Sequence, residues 1–291
     1  METVELGGTG RWITRIGLGG MPLSVAGRPA GEEAKRVVRR ALELGVSLID
    51  TADAYCLDEG EVGHNERLIA EALDEAGARA GVLVATKGGL RRPRGRWEND
   101  GRPEHLRRAC LRSLAALRVE RIDLYQLHAP DRRVRFEDSV GELARLREEG
   151  LVAAVGLSNV TLMQLRAAEA IVPVASVQNR YNPWDRSAER TGLIRHCDEH
   201  GVTFLPYSPV GGARRVKLLR ASPELRAIGE RHGATPEEVV LAWILGASPS
   251  LAAIPGASRA ESIESSVRAA ELRLDERTRR ELEDCFRRLP E

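Results

Sequence analysis

Four side chains suited to proton transfer follow short apolar runs along this 291-residue chain. Asp50 ends the run VSLID, and Tyr55 comes five residues later in SLIDTADAY; Lys87 ends VLVATK and His128 ends IDLYQLH. Only three of the 44 lysines and arginines are lysines, so a lysine at the end of an apolar run stands out in this composition. An acid, a phenol, an ammonium and an imidazole at one place would form a proton-donating site.

The chemistry of such a site depends on the acidity of the phenol. A tyrosine with its reference pKa of about 10 protonates a developing alkoxide poorly at neutral pH. An ammonium at ~4 Å, in an effective dielectric near 20, contributes up to about 4 kcal/mol, or roughly three pKa units. We therefore expect Lys87 to lower the pKa of Tyr55, with Asp50 holding the lysine charged and in place. His128 would hydrogen-bond and orient the substrate oxygen.

Each of these residues also has a structural interpretation. Asp50 and Lys87 would equally form a buried ion pair, and His128 would be an ordinary histidine with its hydrogen bonds satisfied.

The convergence of the four residues on one site needs secondary-structure elements that bring them together. Short apolar runs alternate with segments of helical period, which is typical of βα units in a parallel sheet. We predict eight strands, at residues 14–20, 46–50, 82–87, 122–128, 151–158, 173–179, 202–208 and 251–256.

Eight such units in one chain of this length predict an α/β fold, a (β/α)8 TIM barrel, as a single domain over residues 1–291. An open doubly wound sheet is the competing architecture, because it shares the same alternation. The opening METVELGGTGRW predicts an N-terminal β-hairpin that closes the barrel bottom, and residues 275–289 predict an extra C-terminal helix. In a barrel, the polar residues at the strand ends gather at one reactive rim.

Composition narrows the class of protein. The formal net charge is +1, so no global field favours nucleic acid or an anionic membrane, and we expect neither as a partner. No apolar run approaches the ~18 residues that span a bilayer, and METVELGG has no signal-peptide pattern. We expect a cytoplasmic monomer. The four cysteines lack CxxC spacing, which favours reduced, unpaired thiols.

Three weaker signals receive structural interpretations. GLGGMP lacks the GxGxxG spacing and is better read as the first strand. His196 and His200 have a metal-ligand spacing but neither HExxH nor a third ligand, so we expect a solvated helix face and no metal site. The arginine-rich run LRRPRGRW, residues 90–97, is better placed to wall a substrate pocket, with Trp97 as an apolar contact, than to bind nucleic acid. Trp12 and Trp243 are interpreted as packing residues.

In order and position, the four side chains resemble the catalytic tetrad of the aldo-keto reductases, a (β/α)8 family that reduces carbonyls with NADPH. The resemblance runs through nearly the whole chain, in IGLGGM, DTADAY, GHNERLIAEAL, VATKGG, RIDLYQLHAPD, AVGLSN, VQNRYN, PYSPVG and IPGASR. It implies that Asp50, Tyr55, Lys87 and His128 are the tetrad, with Tyr55 as the general acid. The substrate would be a small carbonyl compound that contacts Tyr55, His128 and Trp97.

The resemblance also implies an NADP(H) site across the strand ends, without a Rossmann domain. Ser158, Asn159 and Gln178 would hold the nicotinamide carboxamide, with Tyr207 stacked on the ring. Gly19, Gly20, Met21 and Asp50 are also expected to lie at the cofactor. Ser208 and the backbone of Val210, Gly211 and Gly212 would approach the pyrophosphate. Ser258 and Arg259 would take the 2′-phosphate, and a guanidinium there favours NADPH over NADH.

Some positions depart from the family pattern. Ser265 and Ser266 stand where many relatives carry Glu-Asn for the adenine, and the segment GGARRVK after Pro209 is shorter than the loop that closes over the pyrophosphate in related members. Two other functions stay open from the residues alone. One is a regulatory, nucleotide-sensing subunit with little turnover; the other is a different (β/α)8 enzyme that acts on a phosphosugar.

Overall fold

A parallel sheet that closes on itself organises the fold of this chain, which we describe for residues 1–290 from a computed structural model. Seven of its strands pair side by side in the order β3, β4, β5, β8, β9, β10, β11. The strands are β1 (Thr3–Glu5), β2 (Trp12–Thr14), β3 (Leu18–Gly19), β4 (Leu48–Asp50), β5 (Leu83–Gly88), β6 (Leu90–Arg91), β7 (Glu98–Asn99), β8 (Ile122–Leu127), β9 (Val152–Ser158), β10 (Val174–Gln178) and β11 (Thr203–Phe204).

The eighth strand segment, residues 251–256, closes the barrel through single bridges on both sides. Leu251 pairs with Phe204 at the end of the sheet, and Ala253 pairs with Ile16 at its beginning. The segment contains Pro255 and faces Pro206, and neither residue has an N–H group to extend a ladder. The predicted eighth strand is therefore present without a continuous ladder, and the alternative of an open sheet is wrong.

Helices cover the outside of the barrel, as the βα alternation predicts. They are α1 (Gly31–Glu43), α2 (His64–Ala76), α3 (Pro103–Leu117), α4 (Phe136–Glu148), α5 (Leu162–Glu169), α6 (Ser187–Arg190), α7 (Leu193–His200), α8 (Ala213–Ala221), α9 (Pro223–Arg231), α10 (Pro236–Leu245), α11 (Ala260–Ala269) and α12 (Glu276–Phe286). Thr235 forms a capping box with Glu238 at the start of α10. The helix α12 is the predicted C-terminal helix. None of these helices is both long and apolar enough to cross a membrane.

The N-terminal hairpin closes one end of the barrel, as predicted. Strands β1 and β2 pair antiparallel, and Leu6 and Ile13 of the hairpin pack with Leu48, Leu124 and other interior residues of the barrel. The Thr203 hydroxyl ties the hairpin to β11, since it donates to the Glu5 carbonyl and accepts from the Gly7 amide, both at 3.0 Å. The hairpin leaves the opposite, carboxyl end of the strands free for a site.

Two packing expectations for tryptophans have different outcomes. Trp243 is buried in α10 between Tyr181 and Phe286, so that expectation is confirmed. Trp12 is 63% exposed, so its prediction as a packing residue is wrong. It lies on a hairpin strand, where successive side chains point to opposite faces, and its neighbour Ile13 takes the inward position.

Candidate active site

The carboxyl ends of β4, β5 and β8 bring the four proton-transfer candidates together. Lys87 Nζ donates hydrogen bonds to both Asp50 carboxylate oxygens, at 2.7 and 2.8 Å, and to the Tyr55 hydroxyl oxygen at 3.1 Å. The His128 ring packs edge-on against the Tyr55 ring, with centroids 5.6 Å apart. Neighbouring parallel strands end at the same edge of the sheet, so residues distant in sequence share one site.

Burial governs the protonation of this cluster. It raises the pKa of Tyr55 well above the usual value near 10, and the charge of Asp50 acts in the same direction. The prediction that Lys87 brings the pKa of Tyr55 toward neutrality is therefore wrong, because a buried phenolate would lose its hydration and lie close to a carboxylate. Burial likewise lowers the pKa of Lys87, and the ion pair with Asp50 opposes that shift.

These shifts leave Tyr55 as a neutral phenol at pH 7. Its oxygen accepts a hydrogen bond from Lys87, so its own proton is available to a second acceptor. Tyr55 is 6% exposed, and the arrangement therefore presents one O–H donor in a site that admits little water. This is a starting state for proton donation.

Two further contacts fix the Asp50–Lys87 pair. The Thr51 carbonyl, at 2.7 Å, is the fourth oxygen within hydrogen-bonding distance of Lys87 Nζ, so the three N–H groups of the ammonium serve four acceptors and one is shared. Gln178 Nε2 donates to Asp50 Oδ1 at 2.7 Å. The sequence did not single out Thr51, since any residue contributes a backbone carbonyl. Gln178 was expected at the nicotinamide; here its amide nitrogen holds the carboxylate of Asp50.

The segment that carries Tyr55 is anchored at both ends. At its start, the Thr51 hydroxyl donates to Asn65 Oδ1 at 2.6 Å, and Asn65 Nδ2 donates to the Gly20 carbonyl at 2.9 Å. At its end, the Gly63 amide donates to the Asp53 carbonyl at 2.8 Å. Tyr55 is thus held by β3, β4 and α2 together.

His128 is held as a neutral imidazole. Burial lowers its pKa well below the usual value, and the positive charge of Lys87 adds to the effect. Its Nδ1 atom is buried and has no hydrogen-bond partner within residues 1–290. Its backbone is fixed, because the amide donates to the Gly88 carbonyl and its own carbonyl accepts from Asn159 Nδ2, both at 2.9 Å. The ring is therefore placed by the strand and can donate one hydrogen bond.

Trp97 lies beside this cluster on a small hairpin, where the sequence predicts a loop. Strands β6 and β7 pair antiparallel after β5. The Trp97 ring is 46% exposed, lies 6.4 Å from the Tyr55 ring in an edge-on arrangement, and stacks on the guanidinium of Arg92 at 3.7 Å. Trp97 therefore lies beside Tyr55, and its role as a wall of the substrate pocket stays a prediction.

The residues expected near the nicotinamide form a hydrogen-bonded chain at the ends of β9 and residues 202–208. The Tyr207 hydroxyl donates to Asn159 Oδ1 at 2.7 Å, and Asn159 Nδ2 lies 3.1 Å from the Ser158 hydroxyl. Asn159 adopts a left-handed backbone (φ 59°), which is uncommon outside glycine and is found often at functional sites. Arg180, which no sequence motif indicated, lies 5.6 Å from the centroid of the Tyr207 ring.

The turn between residues 208 and 212 has an open backbone at Gly212. Ser208 is also left-handed (φ 49°), and its carbonyl accepts hydrogen bonds from Asn182 Nδ2 at 3.0 Å and from the Gly211 amide at 2.9 Å. A Cβ atom on Gly212 would meet no atom within 4 Å. Gly212 directly precedes α8, so free amide groups and the positive end of the helix dipole face a phosphate approaching there.

The last strand segment, residues 251–256, is followed by an arginine that has no ion-pair partner in the described part of the chain. Arg259 is exposed, immediately precedes α11, and makes no ion pair with any residue from 1 to 290. Ser258 precedes it and is half-buried. In contrast, the Ser265 hydroxyl donates to Glu238 and the Ser266 hydroxyl to the Ser262 carbonyl, so these two serines are engaged within the fold.

At Gly19 and Gly20, at the end of β3, the backbone lies too close to its neighbours to admit a side chain. A Cβ atom on Gly19 would lie 2.8 Å from the Ile254 carbonyl oxygen, and one on Gly20 would lie 2.6 Å from Asn65 Oδ1. Met21 follows in a short 3-10 turn and is 42% exposed. Together with the turn before α8 and the unpaired Arg259, these residues fit an extended, phosphate-bearing cofactor such as a dinucleotide.

The histidine pair on α7 has a structural setting. His196 is buried and its Nε2 atom lies 2.9 Å from Glu169, while the rings of His196 and His200 stack at 3.9 Å. The expectation of a solvated face is therefore wrong for His196. Within residues 1–290, the structure contains no group of three side chains arranged to hold a metal ion.

Comparison with known proteins identifies the class. The sequence model of the Aldo/keto reductase family matches residues 15–287. An uncharacterized oxidoreductase from Schizosaccharomyces pombe is 35% identical over 90% of this chain and 83% of its own length. A probable aldo-keto reductase from Glycine max is 32% identical over 97% of this chain and 88% of its own.

The comparison of structures agrees. A thermostable aldo-keto reductase, solved with the inhibitor epalrestat, superposes with a TM-score of 0.82 at 29% identity, over 98% of this chain and 99% of that one. The chain therefore belongs to the aldo/keto reductase family, and it is an oxidoreductase of a family that uses a nicotinamide cofactor. The alternative of an unrelated phosphosugar enzyme of this fold is set aside on that ground.

Proposed function

We propose that this protein is an NADPH-dependent reductase that converts an aldehyde or ketone into an alcohol. The observation that carries the proposal is the buried contact between Lys87 Nζ and the Tyr55 hydroxyl, at 3.1 Å, with Asp50 on the far side of the lysine. A reduced nicotinamide, when bound, supplies hydride to the carbonyl carbon. The protein must then neutralise the negative charge that develops on the oxygen.

In the proposed mechanism, Tyr55 donates its proton to that oxygen. The high pKa keeps the phenol protonated before reaction, as a general acid requires. As the proton leaves, negative charge moves onto the Tyr55 oxygen, where Lys87 already donates a hydrogen bond; the ammonium stabilises the phenolate at the moment it forms. Asp50 and the Thr51 carbonyl keep the ammonium aimed at that oxygen.

His128 has a positioning role in this proposal. Its imidazole is neutral because of burial and the nearby Lys87, so it donates a hydrogen bond to the substrate oxygen without competing as an acid. Trp97 supplies an apolar wall beside Tyr55. A small carbonyl compound that enters between these rings places its oxygen within reach of both donors.

The expected cofactor contacts support NADPH. Ser158, Asn159 and Tyr207 would hold and stack the nicotinamide, the turn before α8 would take the pyrophosphate, and Arg259 would bind the 2′-phosphate. An exposed guanidinium without a carboxylate partner suits a phosphate dianion, because it can donate two parallel charge-assisted hydrogen bonds.

The substitution Tyr55→Phe tests the function. We expect the reductase rate with a panel of simple aldehydes to fall by roughly 10²- to 10⁴-fold, the usual contribution of a general acid. NADPH binding, followed by fluorescence, should stay nearly unchanged, since the ring is retained. A variant that keeps the wild-type rate would contradict the proposal.

Tyr125→Phe is a matched control, because the hydroxyl of this buried phenol hydrogen-bonds only to the Leu106 carbonyl and the ring belongs to the hydrophobic core outside the active site. Its turnover should stay near that of the wild type. Steady NADPH consumption by the wild type also distinguishes an enzyme from a nucleotide-sensing subunit, which would bind NADPH and consume little of it.

A further inference from the structure

A second cavity, of about 540 Å³, lies between the segment that carries Tyr55, the β6–β7 hairpin and α3. None of the four proton-transfer residues lines it. Its volume falls in the range of small-molecule sites. The wall contains five arginines, Arg91, Arg92, Arg102, Arg108 and Arg112.

The positive charge of this cavity exceeds the negative charge. Against five arginines stand only three carboxylates, and each already has a partner. Asp100 accepts two hydrogen bonds from Arg102, at 2.8 and 2.7 Å, Asp53 lies 3.6 Å from Arg112, and Glu59 accepts from the Arg94 amide. The cavity therefore carries an excess of about two positive charges.

Among the arginines of the wall, Arg92 has the positive charge that is least compensated by neighbouring groups. The residue is 6% exposed and makes no ion pair within residues 1–290. One nitrogen donates to the Leu57 carbonyl at 3.0 Å, while Nε and Nη1 are buried without a hydrogen-bond partner in the same range. A buried cation with free donors is unfavourable unless an anion or its equivalent lies nearby. The Trp97 ring offsets only part of that cost.

Asp53 is a buried carboxyl in the wall of the cavity. Burial and the nearby Glu66 raise its pKa to about 8, so it is largely uncharged at neutral pH. Protonation of Asp53 increases the positive excess further.

We propose that this cavity binds the phosphate group of a small phosphate monoester, separately from the cofactor. Guanidinium groups bind phosphate oxygens through paired, charge-assisted hydrogen bonds, and a dianion matches the excess charge. The volume exceeds the needs of a bare phosphate ion, which favours an ester with a short organic group. The arginine-rich run at residues 90–97 thereby acquires a binding role through Arg91 and Arg92.

Isothermal titration of the full-length protein with glycerol phosphate, and separately with inorganic phosphate, tests this site. The double variant R91Q/R108Q removes two exposed guanidiniums of the wall, so binding should weaken by roughly tenfold or more, as expected for lost charged hydrogen bonds. The matched control is R94Q/R96Q, which removes the same charge from the β6–β7 hairpin at positions outside the cavity wall. Circular dichroism checks that both variants fold.

The outcomes separate cleanly. The proposal is supported if the ester binds more tightly than inorganic phosphate, and if this binding is lost in R91Q/R108Q and kept in the control. Equal affinity for both ligands, with the same pattern in the variants, supports a site for phosphate alone. Binding that survives R91Q/R108Q but is lost in Arg259→Ala would assign the phosphate to the dinucleotide site and overturn the proposal. No binding of either ligand at millimolar concentration would also overturn it. None of these results depends on reductase activity.

Discussion

Asp53 shows how a single residue near the site couples stability to pH. It lies two positions before Tyr55, is 1% exposed, and has its Oδ1 atom unpartnered within the described part of the chain. The folded protein holds a proton on it up to about pH 8, whereas an unfolded chain releases that proton near pH 4. Between these values the folded state binds more protons than the unfolded state.

The sign of the resulting pH dependence follows from this difference. As the pH rises from about 4 to about 8, Asp53 lowers the free energy of unfolding, by at most about 1.4 kcal/mol per pH unit. Asp53→Asn should flatten this decline, since an amide has no proton to lose. Urea unfolding between about pH 5 and pH 8 measures the slope.

Asp138→Asn serves as the control, because that carboxylate is exposed at the start of α4. Its pH slope should equal that of the wild type. If the wild type and Asp53→Asn lose stability in parallel across this range, the assignment of the slope to Asp53 is wrong.

At the scale of an element, β5 depends on a glycine directly after Lys87. A Cβ atom on Gly88 would lie 2.0 Å from the Tyr125 hydroxyl oxygen and 3.2 Å from the Ala109 side chain. Tyr125 is fully buried and donates to the Leu106 carbonyl at 3.2 Å. The strand, its neighbour β8 and the helix α3 thus meet at a point where no extra atom fits.

Gly88→Ala should therefore destabilise the protein by about 1–3 kcal/mol, the usual cost of overpacking a core. The same substitution should cost less in a Tyr125→Phe background, because the atom nearest to the new methyl group is then gone. Denaturant unfolding of the two single variants and the double variant gives the coupling energy. Equal costs in both backgrounds would show that the hydroxyl contact is not responsible.

At the scale of the whole molecule, the proposed cofactor site draws on residues from the beginning, middle and end of the chain. Gly19 pairs with Gly256, and Arg259 follows three residues later, so closure of the barrel is what brings the last strand to the first. Arg259→Ala should weaken NADPH binding by roughly tenfold to a hundredfold, as expected for lost charge-assisted hydrogen bonds, and should change NADH binding by less than about twofold.

Fluorescence titration with each dinucleotide measures this preference. Arg280→Ala, an exposed arginine on α12, should leave both affinities unchanged. Equal weakening of NADPH and NADH by Arg259→Ala would contradict the assignment of Arg259 to the 2′-phosphate.

The sequence by itself determined the alternation of strands and helices, the hairpin, the last helix and the polar residues at the strand ends. The same alternation also fits an open sheet, so only the tertiary structure decided that the sheet closes into a barrel. The periods of 2 and 3.6 residues in the apolar pattern of strands and helices are local properties of the chain. Parallel strands end at one edge of the sheet, so polar residues at their ends, such as Asp50, Lys87 and His128, must lie together there. The tertiary structure alone decided how those residues ionise. Burial raises the pKa of Tyr55 where proximity to Lys87 was expected to lower it, because hydration lost to the surrounding fold is not visible in a string of residues. Likewise, only packing leaves the guanidinium of Arg92 buried beside a cavity, since that cavity is formed by segments that meet only in the folded chain.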